Sequence, residues 1–196
     1  MKKMLVIAAV LLCTCGLFAK IGDPKPAYIQ PTFGIGAAFE HWNQFGVTVG
    51  ADIDWNVWEK ATTKAHDGSG KMYAGIDLAF EYWIPTGDYP DGAATHIMRL
   101  PIQGNFAYEF DTSKMNGAGP LQAVGPWYSM GVSIDFAANS DSDINDHMDH
   151  VDASFVWGLG ASLSFTGNWA LKAGFGGNAG DGWDESHFMA EAAYRF

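Results

Sequence analysis

Hydrophobic and polar residues alternate along most of the chain with a period of two. The second alternating segment sets an apolar series against a polar one, Phe45, Val47, Val49, Ala51, Ile53, Trp55 and Val57 against Gly46, Thr48, Gly50, Asp52, Asp54 and Asn56. Because a strand presents successive side chains to opposite faces, each such segment predicts a strand with two unlike faces. Eight segments follow this pattern, at about residues 28–40, 45–57, 71–84, 96–110, 127–138, 151–165, 169–178 and 186–196.

Eight amphipathic strands separated by turn-rich stretches predict an all-β chain. Each segment has about the 9–11 residues, or somewhat more, that a tilted membrane strand needs. Charged residues make up only 17% of the chain, against roughly 25% in soluble domains. After residue 19 no apolar run is long enough for a membrane helix, and a closed barrel is the other structure that satisfies the backbone in lipid. We therefore predict an eight-stranded antiparallel up-and-down transmembrane β-barrel.

The orientation of the two faces follows from their composition. The polar faces carry mostly Gly, Ser, Ala, Thr and Asn, which suit the crowded lumen of a narrow barrel. The apolar faces place aromatic residues near strand ends, where girdles form at bilayer interfaces. We predict that the apolar face points outward to lipid. The alternative is a soluble periplasmic ligand-binding barrel, with the apolar face inside.

The first residues have the pattern of a secretory signal peptide. Lys2 and Lys3 precede an apolar run at residues 4–12, and small residues lead to a cleavage site after Ala19. We predict a signal peptide at residues 1–19, removed from an outer-membrane domain at residues 20–196. Both cysteines, Cys13 and Cys15, lie in this segment, so the mature chain has no thiol. Lipidation of Cys15 after cleavage before it is the alternative.

The charged residues exclude one class of binding partner and predict a network of ion pairs inside the barrel. The net charge of −11 argues against a nucleic-acid binder, which needs basic patches. The polar faces carry many acids and few bases, and buried charges persist when they are paired or hydrated. We predict that Arg99 and Lys172 pair with Glu81, Asp77 or Glu191. The predicted lumen charge network is Asp77, Glu81, Arg99, Lys172, Glu191 and Arg195.

One acidic stretch, residues 139–150, carries side chains of the kind that bind metal ions. Asp141, Asp143 and Asn145 alternate oxygen donors, and Asp149 follows, which loosely resembles the spacing of a calcium loop. The stretch lacks that loop's glycine and its final glutamate, so a hydrated acidic external loop is the alternative. A surface divalent cation here would bridge to lipopolysaccharide. We predict no other cofactor.

The histidines give no sign of catalysis. His41, His66, His96, His147, His150 and His187 show no spacing that marks a nucleophile and its base. The sequence therefore predicts that the protein is not an enzyme.

The last segment carries a family resemblance. Phe188, Tyr194 and Phe196 share its apolar face, and the chain ends on an aromatic. This resembles the closing strand of bacterial outer-membrane barrels, whose terminal aromatic is recognised by the barrel-assembly machinery. With the signal peptide and the eight segments, the chain resembles the small OmpA-like and OmpW-like barrels.

The resemblance implies an outer-membrane location, contact with lipid and lipopolysaccharide, and Phe196 at the periplasmic end. Residues 166–168 then form a periplasmic turn. Two further periplasmic connections, residues 59–70 and 111–124, are long for that side, so either strands extend into them or a pair of strands is miscounted.

Family members range from anchors to narrow channels and adhesins. We expect a structural or surface-interaction barrel with a lumen largely filled by side chains. The alternatives are a narrow channel for small solutes or cations, and the soluble ligand-binding barrel.

Overall fold

A computed structural model describes residues 26–38, 44–60, 69–85, 95–113, 119–139, 151–179 and 185–196. The predicted signal peptide and the candidate metal residues of the acidic loop lie outside these ranges. The described residues form eight strands: β1 (Pro26–Ala38), β2 (Gln44–Lys60), β3 (Gly70–Pro85), β4 (Thr95–Asp111), β5 (Leu121–Asn139), β6 (Val151–Phe165), β7 (Trp169–Ala179) and β8 (Glu185–Tyr194).

The strands form one closed antiparallel barrel in sequence order. Each strand pairs with the next, and β1 pairs with β8 from Thr32 opposite Ala193 to Ala38 opposite His187, which closes the ring. Closure leaves no unpaired sheet edge, which is the arrangement by which a β-sheet satisfies backbone hydrogen bonds in lipid. The prediction of an eight-stranded antiparallel up-and-down barrel is confirmed.

Several strands, β2 and β5 above all, are longer than the alternation indicated. β2 continues to Lys60 and β5 begins at Leu121, so strand ends extend into the two long connections and the strand count was right. The predicted start of the fifth strand at Trp127 was wrong. Pro126 interrupts pairing with β4, yet pairing with β6 continues through Pro126 opposite Ala161.

The connection from β6 to β7 is the predicted tight turn. Gly167 has φ of 83° and Asn168 has φ of 69°, left-handed conformations that Gly and Asn adopt most readily. The last strand ends at Tyr194, two residues before the predicted end. Phe196 nevertheless donates its backbone N–H to the carbonyl oxygen of Ile29 at 3.3 Å.

The apolar face points outward, as predicted. Leu78 is 44% exposed and Leu159 is 52% exposed, whereas Asp52 and Arg99 on the inner face are at most 1% exposed. A barrel in water would show the reverse. The alternative with the apolar face inside is therefore wrong.

Aromatic pairs mark the outer wall near its ends. At the end where Phe196 lies, called here the Phe196 end, ring centroids lie 5.1 Å apart for Trp169 and Tyr194 and 5.0 Å apart for Tyr194 and Phe196. Trp58 and Tyr108 are 6.0 Å apart at the same end. Such rings suit the interface between hydrocarbon and headgroups.

No helix in the described part of the chain has the length and apolarity that a bilayer crossing requires.

Candidate functional site in the barrel lumen

The inner wall carries the charged and hydrogen-bonding side chains. They lie at three levels between the Phe196 end and the opposite end of the barrel. Alternation places them there, because every second residue of each strand faces the axis. At each level, side chains from strands that are not neighbours meet across the lumen.

The first level lies at the Phe196 end. Arg195 Nη2 forms a short ion pair with Glu109, and Ser164 Oγ donates to the same carboxylate at 2.8 Å. Arg195 Nε also donates to Gln30 Oε1 at 3.1 Å, and Gln30 Nε2 donates to Asp54 Oδ2 at 2.5 Å. Charged groups here are hydrogen-bonded on several sides, which is the condition under which buried charges are tolerated.

The second level lies near mid-barrel. Lys172 Nζ, on β7, forms a short ion pair with Asp52 on β2. The strand register places Glu191 directly beside Lys172, and Asp77 directly beside Asp52. One partly buried lysine is therefore surrounded by several acids.

The third level, at the opposite end, is built around Trp83. Its indole Nε1 donates to Glu81 at 2.9 Å, and the Arg99 guanidinium carbon lies 5.4 Å from the indole ring centroid. The imidazole of His187, on β8, lies 4.8 Å from the same ring. These contacts reach from β3 and β4 across to β8.

Arg99 is held from its other side by β5. Its Nε lies 3.9 Å from Asp135, whose two carboxylate oxygens accept from Ser133 Oγ at 2.6 Å and Ser154 Oγ at 2.7 Å. The guanidinium therefore lies between an aromatic face and a hydrogen-bonded carboxylate.

Two glycines make room for Trp83. A Cβ at Gly46 would lie 2.7 Å from the indole, and a Cβ at Gly36 would also lie 2.7 Å from it. The indole thus lies against bare backbone of β1 and β2. From the sequence alone, these glycines are predicted only to be small residues that face the lumen.

All six residues of the predicted charge network face the lumen. Two ion-pair partners were not among the acids expected. Lys172 pairs with Asp52, and Glu191 is its register neighbour on β8. Arg99 lies beside Asp135 on β5 and beside Glu81 on β3, both of which are its register neighbours.

Alternation places Asp52, Glu109 and Asp135 on the inner face, but alternation alone does not assign them as ion-pair partners. Asp135 is the register neighbour of Arg99 on β5, so strand pairing alone brings these two together, whereas the pairs of Asp52 with Lys172 and of Glu109 with Arg195 need the closed barrel. Among the described residues no group of three or more His, Cys, Asp or Glu side chains is arranged to hold a metal ion. Asp141, Asp143, Asn145 and Asp149 lie outside those residues.

The residues of the predicted assembly signal lie on the outer wall. Phe188 is 39% exposed and Phe196 is 76% exposed, and Tyr194 packs between Trp169 and Phe196. Of the histidines, His96 is within 2.8 Å of the Tyr82 hydroxyl, also on the outer wall.

Known proteins resemble this chain in structure. The barrel aligns with Neisserial surface protein A at 15% identity and a TM-score of 0.53, covering 86% of this chain and 96% of that one. It aligns with the outer membrane enzyme PagL at 17% identity and a TM-score of 0.50, covering 85% of this chain and 99% of that one. No protein-family model and no curated protein sequence matches the chain.

The closed ring of eight strands, the apolar outer wall and these alignments define a class. The chain has the fold of the small eight-stranded outer-membrane β-barrels. At these identities the likeness concerns the fold.

Proposed function

We propose that the protein is an integral outer-membrane β-barrel with a structural or surface-interaction role, whose lumen is largely filled by its own side chains. The observation that carries the proposal is the set of bridges across the lumen. Arg195, just after β8, reaches Glu109 on β4, which lies on the opposite side of the ring. Lys172 reaches Asp52, and Trp83 reaches His187, at the other two levels.

The filled lumen agrees with the size of the barrel. Eight strands enclose a space just wide enough for side chains. Large groups occupy it here: Trp83 is 2% exposed, and Arg99 is 1% exposed. Such an interior stabilises a rigid cylinder, which suits an anchor that presents loops at a surface.

The outward apolar wall supports a membrane location, and the similar structures support the outer membrane. We propose contact with outer-membrane lipid and lipopolysaccharide, and insertion by the barrel-assembly machinery through the aromatic end of the chain. PagL is described as an enzyme. Since that likeness extends only to the fold, we assign no catalytic role on that basis.

A narrow cation-selective channel is the second candidate. The observation that favours it is the excess of acids on the inner wall, which would attract cations and repel anions. In this case the three levels of lumen side chains would be narrow points along a pore, and water and ions would pass through them.

Planar-bilayer conductance of refolded protein separates the two candidates. Folding is first checked by heat-modifiable gel mobility. We expect no steady unitary currents. Steady currents would contradict the filled lumen and support the channel, in which case Trp83→Ala should raise conductance and Trp169→Ala, an equal truncation on the outer wall, should not.

A further inference from the structure

Three polar side chains at the end of the barrel opposite Phe196 are buried without satisfying their hydrogen-bonding groups. They are Gln44 at the start of β2, Asn178 near the end of β7 and His187 near the start of β8, with exposed fractions of 2%, 4% and 6%. Among the described residues, no partner is found for Nε2 and Oε1 of Gln44, for Nδ2 and Oδ1 of Asn178, or for Nδ1 of His187. A buried polar atom without a partner costs free energy, so these atoms call for a group that the described chain does not supply.

The strand register places the three side chains on one arc of the inner wall. His187 lies opposite Gly176 on β7, and Asn178 is two residues further along β7 on the same face. Diagonal neighbours of this kind lie roughly 7–8 Å apart. On its other side His187 lies opposite Ala38 of β1, which in turn lies opposite Gln44. Because Ala38 contributes only a methyl group to this row, the arc is continuous from β7 to β2.

The middle of the arc is fixed and its two ends lie at strand ends. The imidazole of His187 lies 4.8 Å from the Trp83 ring, and a Cβ at Gly176 would lie 2.8 Å from His187 Nε2. The imidazole is therefore held between the indole and the bare backbone of β7. Gln44 is the first residue of β2, and Asn178 is the last but one of β7. A solute therefore reaches the arc from the rim, past two amide side chains that can rotate.

The charged groups near the arc already have partners, which indicates the chemistry of the missing group. Arg99 lies between Trp83 and Asp135, and Asp135 accepts from two serines. Glu81 accepts from the indole Nε1. The unpaired atoms belong instead to two neutral amides and an imidazole, and each amide offers both a donor and an acceptor. An ion would match only half of these groups, whereas a hydroxyl group both donates and accepts.

We propose that Gln44, Asn178 and His187 form a binding site for a neutral solute with several hydroxyl groups, of the sugar class. A free sugar and the sugars of lipopolysaccharide share this chemistry, and the experiment below distinguishes them. The site goes beyond the proposed function, because a silent barrel and a conducting one would both carry it. Conductance therefore tests the function, and the side-chain amides test this site.

Nuclear magnetic resonance of the side-chain amides reads the site directly, in isotope-labelled protein refolded in a detergent without a sugar headgroup. N-acetylglucosamine is added in one titration, lipopolysaccharide in a second and sodium phosphate in a third. We expect the amide resonances of Gln44 and Asn178 to shift and then saturate with the free sugar, with lipopolysaccharide, or with both. The resonance of Gln103, which lies opposite Asp77 at mid-barrel, should stay unchanged.

The three titrations separate the sources and the alternatives. Shifts with N-acetylglucosamine support a site for free sugars, and shifts with lipopolysaccharide alone support its sugars as the ligand. Resonances of both amides that stay unchanged in every titration would overturn the proposal. Shifts with phosphate and none with the free sugar would also overturn it, because they would mean that the arc binds an anion.

Variants localise the binding. Asn178→Leu removes one amide and should abolish the shift of Gln44, and Gln44→Met should abolish the shift of Asn178. Thr32→Val is the control, a buried polar residue of the inner wall two residues from Gln30, and it should leave both shifts intact.

The same variants test whether the amides are unpaired in the empty barrel. Without sugar, Gln44→Met and Asn178→Leu should leave the unfolding temperature unchanged or raise it, because an amide without a partner loses no hydrogen bond on replacement. A marked fall in both variants would mean that the chain itself pairs these amides, and it would overturn the proposal.

Discussion

The contact between Trp83 and Gly46 allows a quantitative test of lumen packing. In Gly46→Ala the new Cβ would lie 2.7, 2.8 and 2.9 Å from three atoms of the indole, well inside the roughly 3.5–4.0 Å at which carbon atoms attract best. The indole has little freedom to withdraw. Gly36 limits it on one side, and the bond from Nε1 to Glu81 fixes its orientation.

The expected cost combines two opposing effects. Forcing an extra methyl group into a packed interior costs about 1–3 kcal/mol. Replacing glycine by alanine within a strand raises the free energy of unfolding by about 0.5–1 kcal/mol, because alanine has less conformational freedom than glycine in the unfolded chain. Because the contact at Gly46 is as short as 2.7 Å, we take the upper half of the packing range, about 2–3 kcal/mol, and expect Gly46→Ala to lower the free energy of unfolding by about 1–2.5 kcal/mol.

Urea unfolding of refolded protein, read by gel mobility rather than by tryptophan fluorescence, measures this cost. The control is the same substitution in a Trp83→Leu background, where the smaller side chain leaves space for the methyl group. There we expect Gly46→Ala to be neutral or stabilising. An equal loss of stability in both backgrounds would refute the packing of the indole on Gly46.

Three further changes test other parts of the barrel. Glu109→Ala leaves the Arg195 guanidinium without its carboxylate and should cost about 3–5 kcal/mol in urea unfolding; a loss under 1 kcal/mol would contradict the bridge. Leu159→Arg places a charge on the outer wall and should cost about 2–4 kcal/mol in lipid vesicles, whereas Thr166→Arg in the exposed turn should change stability by less than about 0.5 kcal/mol. Phe196→Ala should reduce the amount of barrel in outer-membrane fractions of cells without preventing refolding in detergent, and equal amounts in cells would contradict its role in assembly.

The strand count and the direction of the faces could be predicted because both depend on local alternation. Leu78 and Leu159 point outward for the same reason that their neighbours point inward. The start of β5 was missed because Gly125 and Pro126 weaken the local strand pattern. Pairing with β6 nevertheless carries the strand back to Leu121.

The sequence predicts which residues point into the lumen and which lie on neighbouring strands, but it does not predict which of them meet across the axis. Lys172 and Asp52 are 120 residues apart in sequence, and the strand tilt and stagger of the closed barrel decide that they meet. Likewise, the alternation marks Gly36, Gly46 and Gly75 as small inward positions. Only the structure assigns the first two to an indole and the third to a pair of oxygens.

Nitroxide labels on the outer wall test the central claim most directly. In the chain from residue 20 onward, which lacks cysteine, single cysteines replace Leu78, Ile134 or Leu159 and are spin-labelled after refolding into lipid bilayers. Power-saturation spectroscopy compares their collisions with oxygen, which concentrates in hydrocarbon, and with a water-soluble nickel complex. We predict high oxygen and low nickel accessibility at all three positions, and high nickel accessibility there would contradict a barrel whose apolar wall faces lipid.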